Sequence, residues 1–436
     1  MQKNNVPLNT AQWLVLSTLF VLCYWPTYFI LSIEPAVMQK SYFLVMLGYL
    51  VFVVFATRTT ATVPNVAYIY CLPLFAMIMS FPFSIEELSS FHFSVLIKPI
   101  LLFSYVICFY SLLAENFGFN GALKVKQALT YIFLIQLIVI VLQIVFGDIT
   151  ALKILSFKDV YSGFGFRAPG TFDWVYITCY FLSFFLAIHI IEFFFGKKRK
   201  TAALFVTLSL LAIFLSQSKT GYLATIIIAL YFTLLSIILR LGIAKKIFLS
   251  MLILFTLFIL FIIYFDINLD YITRFIDLLQ QGHLDGSTST RKSQTLLALD
   301  EGFKYWHRGS PLALQGMIIE NSYLDYLFRY GLLGLFAFTS MIFIFYFYSL
   351  MVCIKCKKLF DKQLITFELF QLSVGCHVSF FAASLYSFTG TPVDAYRSAL
   401  WSSFVIALLA FINKLIKAIA IVPENDPSAL IARECQ

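Results

Sequence analysis

The stretch Ala128–Phe146, ALTYIFLIQLIVIVLQIVF, decides the fold. It holds no charged side chain and is close to the ~20 apolar residues that an α-helix needs to cross a bilayer. Backbone groups in hydrocarbon find no water, so a spanning segment is either a helix or one strand of a closed barrel. Barrel strands alternate polar and apolar residues over about ten positions. This run is continuous instead, and it reads as a transmembrane helix.

Eleven further runs repeat the signal. Before it come Trp13–Ile33, Tyr42–Ala56, Pro64–Phe81 and Phe93–Leu113; after it come Phe172–Phe195, Ala202–Leu215, Tyr222–Leu239 and Ile247–Phe265. The last three are Tyr323–Val352, Leu364–Phe388 and Tyr396–Ala418. The tenth run is long, so its first turns are expected outside the lipid. Composition agrees, with 61% apolar residues, 12% charged ones and a mean hydropathy of +0.89. A soluble chain has about 45–50% and about 25%, and no water-soluble core could hide such an excess. The expected fold is an all-α polytopic membrane protein of about 12 transmembrane helices.

The net charge of +9 reads as topology, not as a nucleic-acid surface. The cations cluster in short loops: Arg58, Lys124 with Lys126, Lys197–Lys200, Arg240 with Lys245 and Lys246, and Lys355 with Lys357 and Lys358. All follow even-numbered spans, which places both termini in the cytoplasm by the positive-inside rule. The expected organisation is nine spans with short loops over 1–265, a large extracytoplasmic loop over 266–321, three spans over 322–420 and a cytoplasmic tail over 421–436. No cleavable signal peptide is evident, because Trp13–Ile33 is long enough to span and no small-residue cleavage site follows it. The eight cysteines form no disulfide framework, and the Cys353–Cys356 pair has no second ligand pair after it. The chain shows no Walker loop, no HExxH and no repeat of 20–50 residues.

Three extracytoplasmic segments could carry chemistry. The loop Gly147–Thr171 brings Arg167 in the sequence Gly163-Phe-Gly-Phe-Arg-Ala-Pro-Gly170. Arginine offers a planar fork suited to phosphate; the bland reading is a contact to lipid headgroups. The turn Ser216-Gln-Ser-Lys-Thr-Gly221 breaks an apolar stretch with Lys219. A cation and hydroxyls at a helix N-terminus make an anion site, while the bland reading is a snorkelling lysine. The large loop contains Asp266-x-Asn268-x-Asp270, which lacks the glycine and glutamate of an EF-hand. It also contains Arg291–Tyr305, which reads as an amphipathic helix on the membrane face, with Ser289 or Thr290 as N-cap. Glu320 and Asn321 immediately precede the tenth span, and with Tyr323 and Asp325 at its start they read as the lining of a polar cavity. Asp325 and Arg329 have the i, i+4 spacing of a simple ion pair.

Taken in order, Phe166-Arg-Ala-Pro-Gly-Thr-Phe172, Ser216-Gln-Ser-Lys-Thr-Gly221, Ser289-Thr-Arg291, Glu320-Asn-Ser-Tyr-Leu324 and Tyr330-Gly-Leu-Leu-Gly334 resemble the superfamily of O-antigen polymerases and O-antigen ligases. The resemblance covers roughly Arg167 to Gly334. It implies a glycosyltransferase C-like bundle with one large periplasmic loop, in the bacterial inner membrane. It implies a metal-independent glycosyltransferase without cofactor, acting on an undecaprenyl-pyrophosphate-linked glycan, with membrane lipid, a chain-length regulator and a flippase as further partners. In the ligase branch the first cation is usually arginine and the residue before the asparagine is histidine. Lys219 and Glu320 stand at those positions here, which favours the polymerase branch. By this resemblance Lys219 and Arg291 hold the pyrophosphate. The chemistry then assigns Glu320 and Arg291 to catalysis, and Arg167, Lys219, Asn321 and Tyr323 to substrate binding. A ligase, or a lipid-linked sugar flippase or other transporter, are the alternative readings.

Overall fold

Each apolar run carries a helix in the computed structural model, which describes residues 8–25, 35–80, 90–119, 121–147, 161–162, 165–172, 174–264, 277–278, 280–281, 283–315, 317, 319–393 and 395–420. The motif at 266–270, most of the loop after Gly147, Gly316 and the tail from 421 lie outside those residues. The first five helices are α1 (Thr10–Tyr24), α2 (Pro35–Ala56), α3 (Cys71–Ser80, entered by a 3-10 turn, Asn65–Tyr70), α4 (Ser90–Asn116) and α5 (Gly121–Phe146). The next four are α6 (Val175–Phe195), α7 (Arg199–Leu215), α8 (Lys219–Ile238) and α9 (Ala244–Tyr264). The last four are α10 (Gly286–Lys304), α11 (Ser322–Asp361), α12 (Phe367–Tyr386) and α13 (Tyr396–Ala420). Among the described residues the only strand pairing is the antiparallel couple Tyr161–Ser162 with Gly165–Phe166.

Among the described residues, seven helices are long and apolar enough to cross a membrane by length and composition: Ile97–Asn116, α5, α6, α8, α11, α12 and Arg397–Ile419. Thr10–Tyr24, Tyr42–Ala56 and Asn65–Ser80 are shorter apolar helices. The chain is an all-α, multi-pass membrane protein. In α6, α12 and α13, 83%, 83% and 89% of the apolar window is buried, against 39–44% in the other four. These three therefore form the centre of the bundle, and the others expose an apolar face to lipid. Aromatic rings fill the centre: Trp401 of α13 packs against Phe181, Phe184 and Phe185 of α6 with ring centroids 4.6, 5.3 and 5.9 Å apart.

Many polar groups inside the bundle are paired, which suits a lipid-embedded core. His377 of α12 bridges two other helices. Its Nε2 hydrogen bonds with Tyr231 Oη of α8 at 2.5 Å, and its Nδ1 with Ser349 Oγ of α11 at 2.8 Å. Tyr231 Oη also meets Tyr346 Oη at 2.8 Å. At one end of the bundle Lys126 of α5 pairs with Glu192 of α6 at 2.7 Å, and Gln371 of α12 donates to the same carboxylate at 2.8 Å.

These contacts give each helix a direction. The starts of α6, α8, α11 and α13 share one end of the bundle with the finishes of α5, α7 and α12. There Cys179 meets Ser216 at 3.2 Å, Tyr180 meets Ser402 at 3.0 Å, and the Ser322 amide donates to the Ser387 carbonyl at 2.8 Å. The basic turns at Lys197–Lys200 and Lys355–Lys362 lie at the other end with Lys126. The start of α1 is there too, since Gln12 donates to the Asn116 carbonyl at 2.9 Å and accepts from Lys124 at 3.0 Å. So is the finish of α13, where Lys414 donates to the Ala114 carbonyl at 3.2 Å.

Two features differ from the reading of the sequence. The amphipathic helix begins with Asp285 as N-cap, ahead of both Ser289 and Thr290. An aspartate here is favoured by the helix dipole, and the Thr288 hydroxyl donates to its carboxylate. The inner face of α10, at Ala298 and Gly302, packs on the first turns of α11, where Phe328 is fully buried. The expected long tenth span is broken at Gly331, with φ 67° and ψ −159°, a region essentially confined to glycine. The turn after α10 fills the break: the Leu332 amide donates to the Trp306 carbonyl, and the Ser310 amide to the Phe328 carbonyl, both at 2.7 Å.

Candidate functional site

The six residues singled out in the sequence all lie at the end of the bundle opposite Lys126, but they fall into three groups. The first is built on α8. Ser218 is its N-cap, with Oγ accepting from the Gly221 amide at 3.1 Å, so Lys219 is the first helical residue. Its ammonium donates to Asp285 Oδ2 at 2.8 Å, with the two side chains only 19% and 14% exposed. Burial pushes the Asp285 carboxyl up. The hydrogen bonds from Lys219 and Thr288, together with the lysine charge, outweigh that and hold it below the ordinary carboxylate range.

The second group joins the other end of the loop to α10. Arg291 Nε donates to Glu320 Oε2 at 2.6 Å, and Gln294, one turn along α10, accepts from the Glu320 amide at 3.2 Å. Asn321 is the N-cap of α11, with Oδ1 accepting from the Leu324 amide at 3.2 Å. It thereby fixes where Glu320 leaves the helix. Tyr323 points elsewhere: its hydroxyl donates to the Ser384 carbonyl at 3.2 Å and its ring sits between Phe338 and Phe388. Asp325 and Arg329 form the expected ion pair at 2.7 Å.

The third group is the loop carrying Arg167. The half-buried guanidinium lies within electrostatic reach of Cys179 and Tyr222. Both flank the turn that holds Lys219, because a Cβ added at Gly221 would lie 2.6 Å from Cys179 Sγ. Arg167 and Lys219 therefore serve one corner. Helix α10 links that corner to Glu320, since Asp285 and Arg291 are six residues apart, about 9 Å of helix rise.

The arrangement can bind an anion with groups on three segments and place a carboxylate beside it. Arg291 and Glu320 are 33% and 34% exposed, and a pair so open to solvent is worth only about 0.2–1 kcal/mol.

Sequence reasoning missed Asp285, Gln294, Gln136, Gln143 and Arg397. Gln136, Gln143 and Arg397 carried a usable signal, being polar side chains inside apolar runs. Asp285 and Gln294 had none, because a polar residue in a polar loop looks like any other. The chain matches no protein-family profile, and it matches no curated protein sequence.

Proposed function

We propose that this end of the bundle polymerises a polysaccharide, joining oligosaccharide repeat units carried on undecaprenyl pyrophosphate into O-antigen or a related surface glycan. In this reading the site faces the periplasm, the protein lies in the bacterial inner membrane, and both termini are cytoplasmic. The observation that carries the reading is the pair of ion pairs bridged by α10, Lys219–Asp285 and Arg291–Glu320, with Arg167 at the same corner. A lipid-borne substrate suits a charged pocket at the edge of an apolar bundle: the diphosphate meets cations while its hydrocarbon stays in lipid.

The chemistry balances without a further reactant. An acceptor hydroxyl on a new repeat unit attacks the anomeric carbon of the growing chain. The bond from that carbon to the diphosphate oxygen breaks, and the hydroxyl proton passes to Glu320 as general base. Lys219, Arg291 and Arg167 stabilise the charge that develops on the leaving diphosphate. A single displacement inverts the anomeric centre. The resting Arg291–Glu320 pair supports an order of events: a diphosphate that draws Arg291 away also releases the carboxylate for proton transfer.

The test is the glycan made by cells carrying Glu320→Gln or Arg291→Ala at unchanged protein level. Loss of long chains with single repeat units still attached is expected. Wild-type chain lengths in both variants would refute the site, and loss of all attached glycan would point to a ligase.

A further inference from the structure

The segment Ala168–Phe172 is irregular backbone buried wholly inside the helix bundle. Such backbone is tolerated at membrane depth only where protein groups satisfy it. Here side chains of three helices supply several of its bonds. The Gln143 carboxamide of α5 takes both backbone groups of Gly170, accepting from its amide and donating to its carbonyl, each at 2.8 Å. The Thr171 hydroxyl donates to Gln136 Oε1, about two turns earlier on the same face of α5, at 2.8 Å. Thr178 of α6 donates to the Pro169 carbonyl. Arg397 of α13, fully buried, donates through one terminal nitrogen to the Thr171 carbonyl and through the other to the Trp25 carbonyl, with its guanidinium 5.7 Å from the Tyr42 ring centre. Gly170, at φ +63°, lies so close to Gln136 that an added Cβ would be 1.9 Å from its Nε2.

We propose that Gln136, Gln143 and Arg397 are positioning residues, forming a clamp that fixes Arg167 against the Lys219 turn so that the guanidinium is preorganised for a diphosphate. This rests on the reading of Arg167 as a diphosphate ligand. Burying an arginine and two carboxamides in a bundle end is costly, the more so because Gln136 Nε2 makes no hydrogen bond there. The bonds described for the three go to Gly170 and Thr171, together with the Arg397 bond that ties the end of α1 to the same place. A rigid mount is worth most where a long side chain must hold one geometry. Lys219, on the first turn of α8, needs no such mount.

The experiment uses full-length protein in nanodiscs and farnesyl diphosphate as the probe, with farnesol as the uncharged control. Gln143→Leu is compared with Arg397→Lys, whose single ammonium cannot span two carbonyls. Thermal unfolding and protein yield identify any variant that fails to fold. Gln143→Leu is expected to speed amide exchange at Gly170 and to weaken diphosphate binding by about 3- to 20-fold, the range of one intramembrane hydrogen bond. In an Arg167→Ala background the same substitution is expected to leave affinity unchanged. Equal weakening in both backgrounds would overturn the proposal, since the clamp would then be acting on the whole fold. Unchanged affinity in Gln143→Leu, or wild-type affinity in Arg167→Ala, would overturn it too, while leaving the chain-length test of Glu320 and Arg291 standing. Failure of the wild-type protein to distinguish farnesyl diphosphate from farnesol would instead remove the proposed function itself, and the clamp's purpose with it.

Discussion

Lys219 and Asp285, 66 residues apart, meet at 2.8 Å and tie the first residue of α8 to the cap of α10. The contact sets a lysine at one helix start against an aspartate at another, so each charge sits where a helix dipole would favour an anion.

Under the proposed function Asp285 competes with the anionic ligand for Lys219. Asp285→Asn keeps the helix cap, because asparagine caps as well as aspartate, but it removes the charge. Tighter binding of farnesyl diphosphate is expected, by a few-fold, whereas Lys219→Ala should weaken it. The same loss in both variants would show that Asp285 assists binding and does not compete.

The same pair should make the docking of α10 acid-sensitive in a definite window. The folded carboxyl lies below its ordinary value of 3.8. Its contribution is therefore complete above that value and is lost as pH falls from there through the depressed folded value. Amide protection along Gly286–Lys304, compared between wild type and Asp285→Asn, should differ by a constant amount above pH ~5 and converge below 3.8. A difference that grows on acidification would contradict this assignment.

Gly331 should not tolerate a side chain. Its backbone conformation costs other residues about 1–3 kcal/mol. A Cβ there would also stand 2.1 Å from the Trp306 carbonyl oxygen, a backbone atom that cannot swing away. Gly331→Ala is expected to lower the thermal unfolding temperature and to loosen α10. An unchanged melting curve would mean that the break in α11 is incidental.

His377 separates a polymerase from a transporter. Its two hydrogen bonds join α8, α11 and α12 within the bundle, and such bonds average about 0.6 kcal/mol and reach about 1.7. His377→Phe should therefore cost modest stability and leave glycan chain length intact. Selective loss of glycan export at normal stability would favour a translocation path through that network.

Cysteine labelling from either side of the membrane should find positions 219 and 291 in one compartment and 197–200 in the other. The helix directions demand it, since the start of α8 and the finish of α6 lie at opposite ends of the bundle.

What the sequence by itself determined was the class of fold, an all-α membrane protein. Twelve apolar runs were legible because hydrocarbon imposes one requirement, an unbroken apolar stretch with all backbone bonds internal, and that requirement is local. Asp325–Arg329 was legible for the same reason, as neighbours on one helix face. Tertiary structure decided everything that depends on segments distant in the chain. Polar residues in a long loop carry no mark of their partner, so nothing local showed that Asp285 would hold Lys219, or that Arg291 and Gln294 would reach Glu320. Nor did Gln136, Gln143 and Arg397 reveal that they would converge on Gly170 and Thr171. Those bonds form only when α5, α6 and α13 pack together, because the energy that selects them is the cost of leaving buried polar groups unpaired.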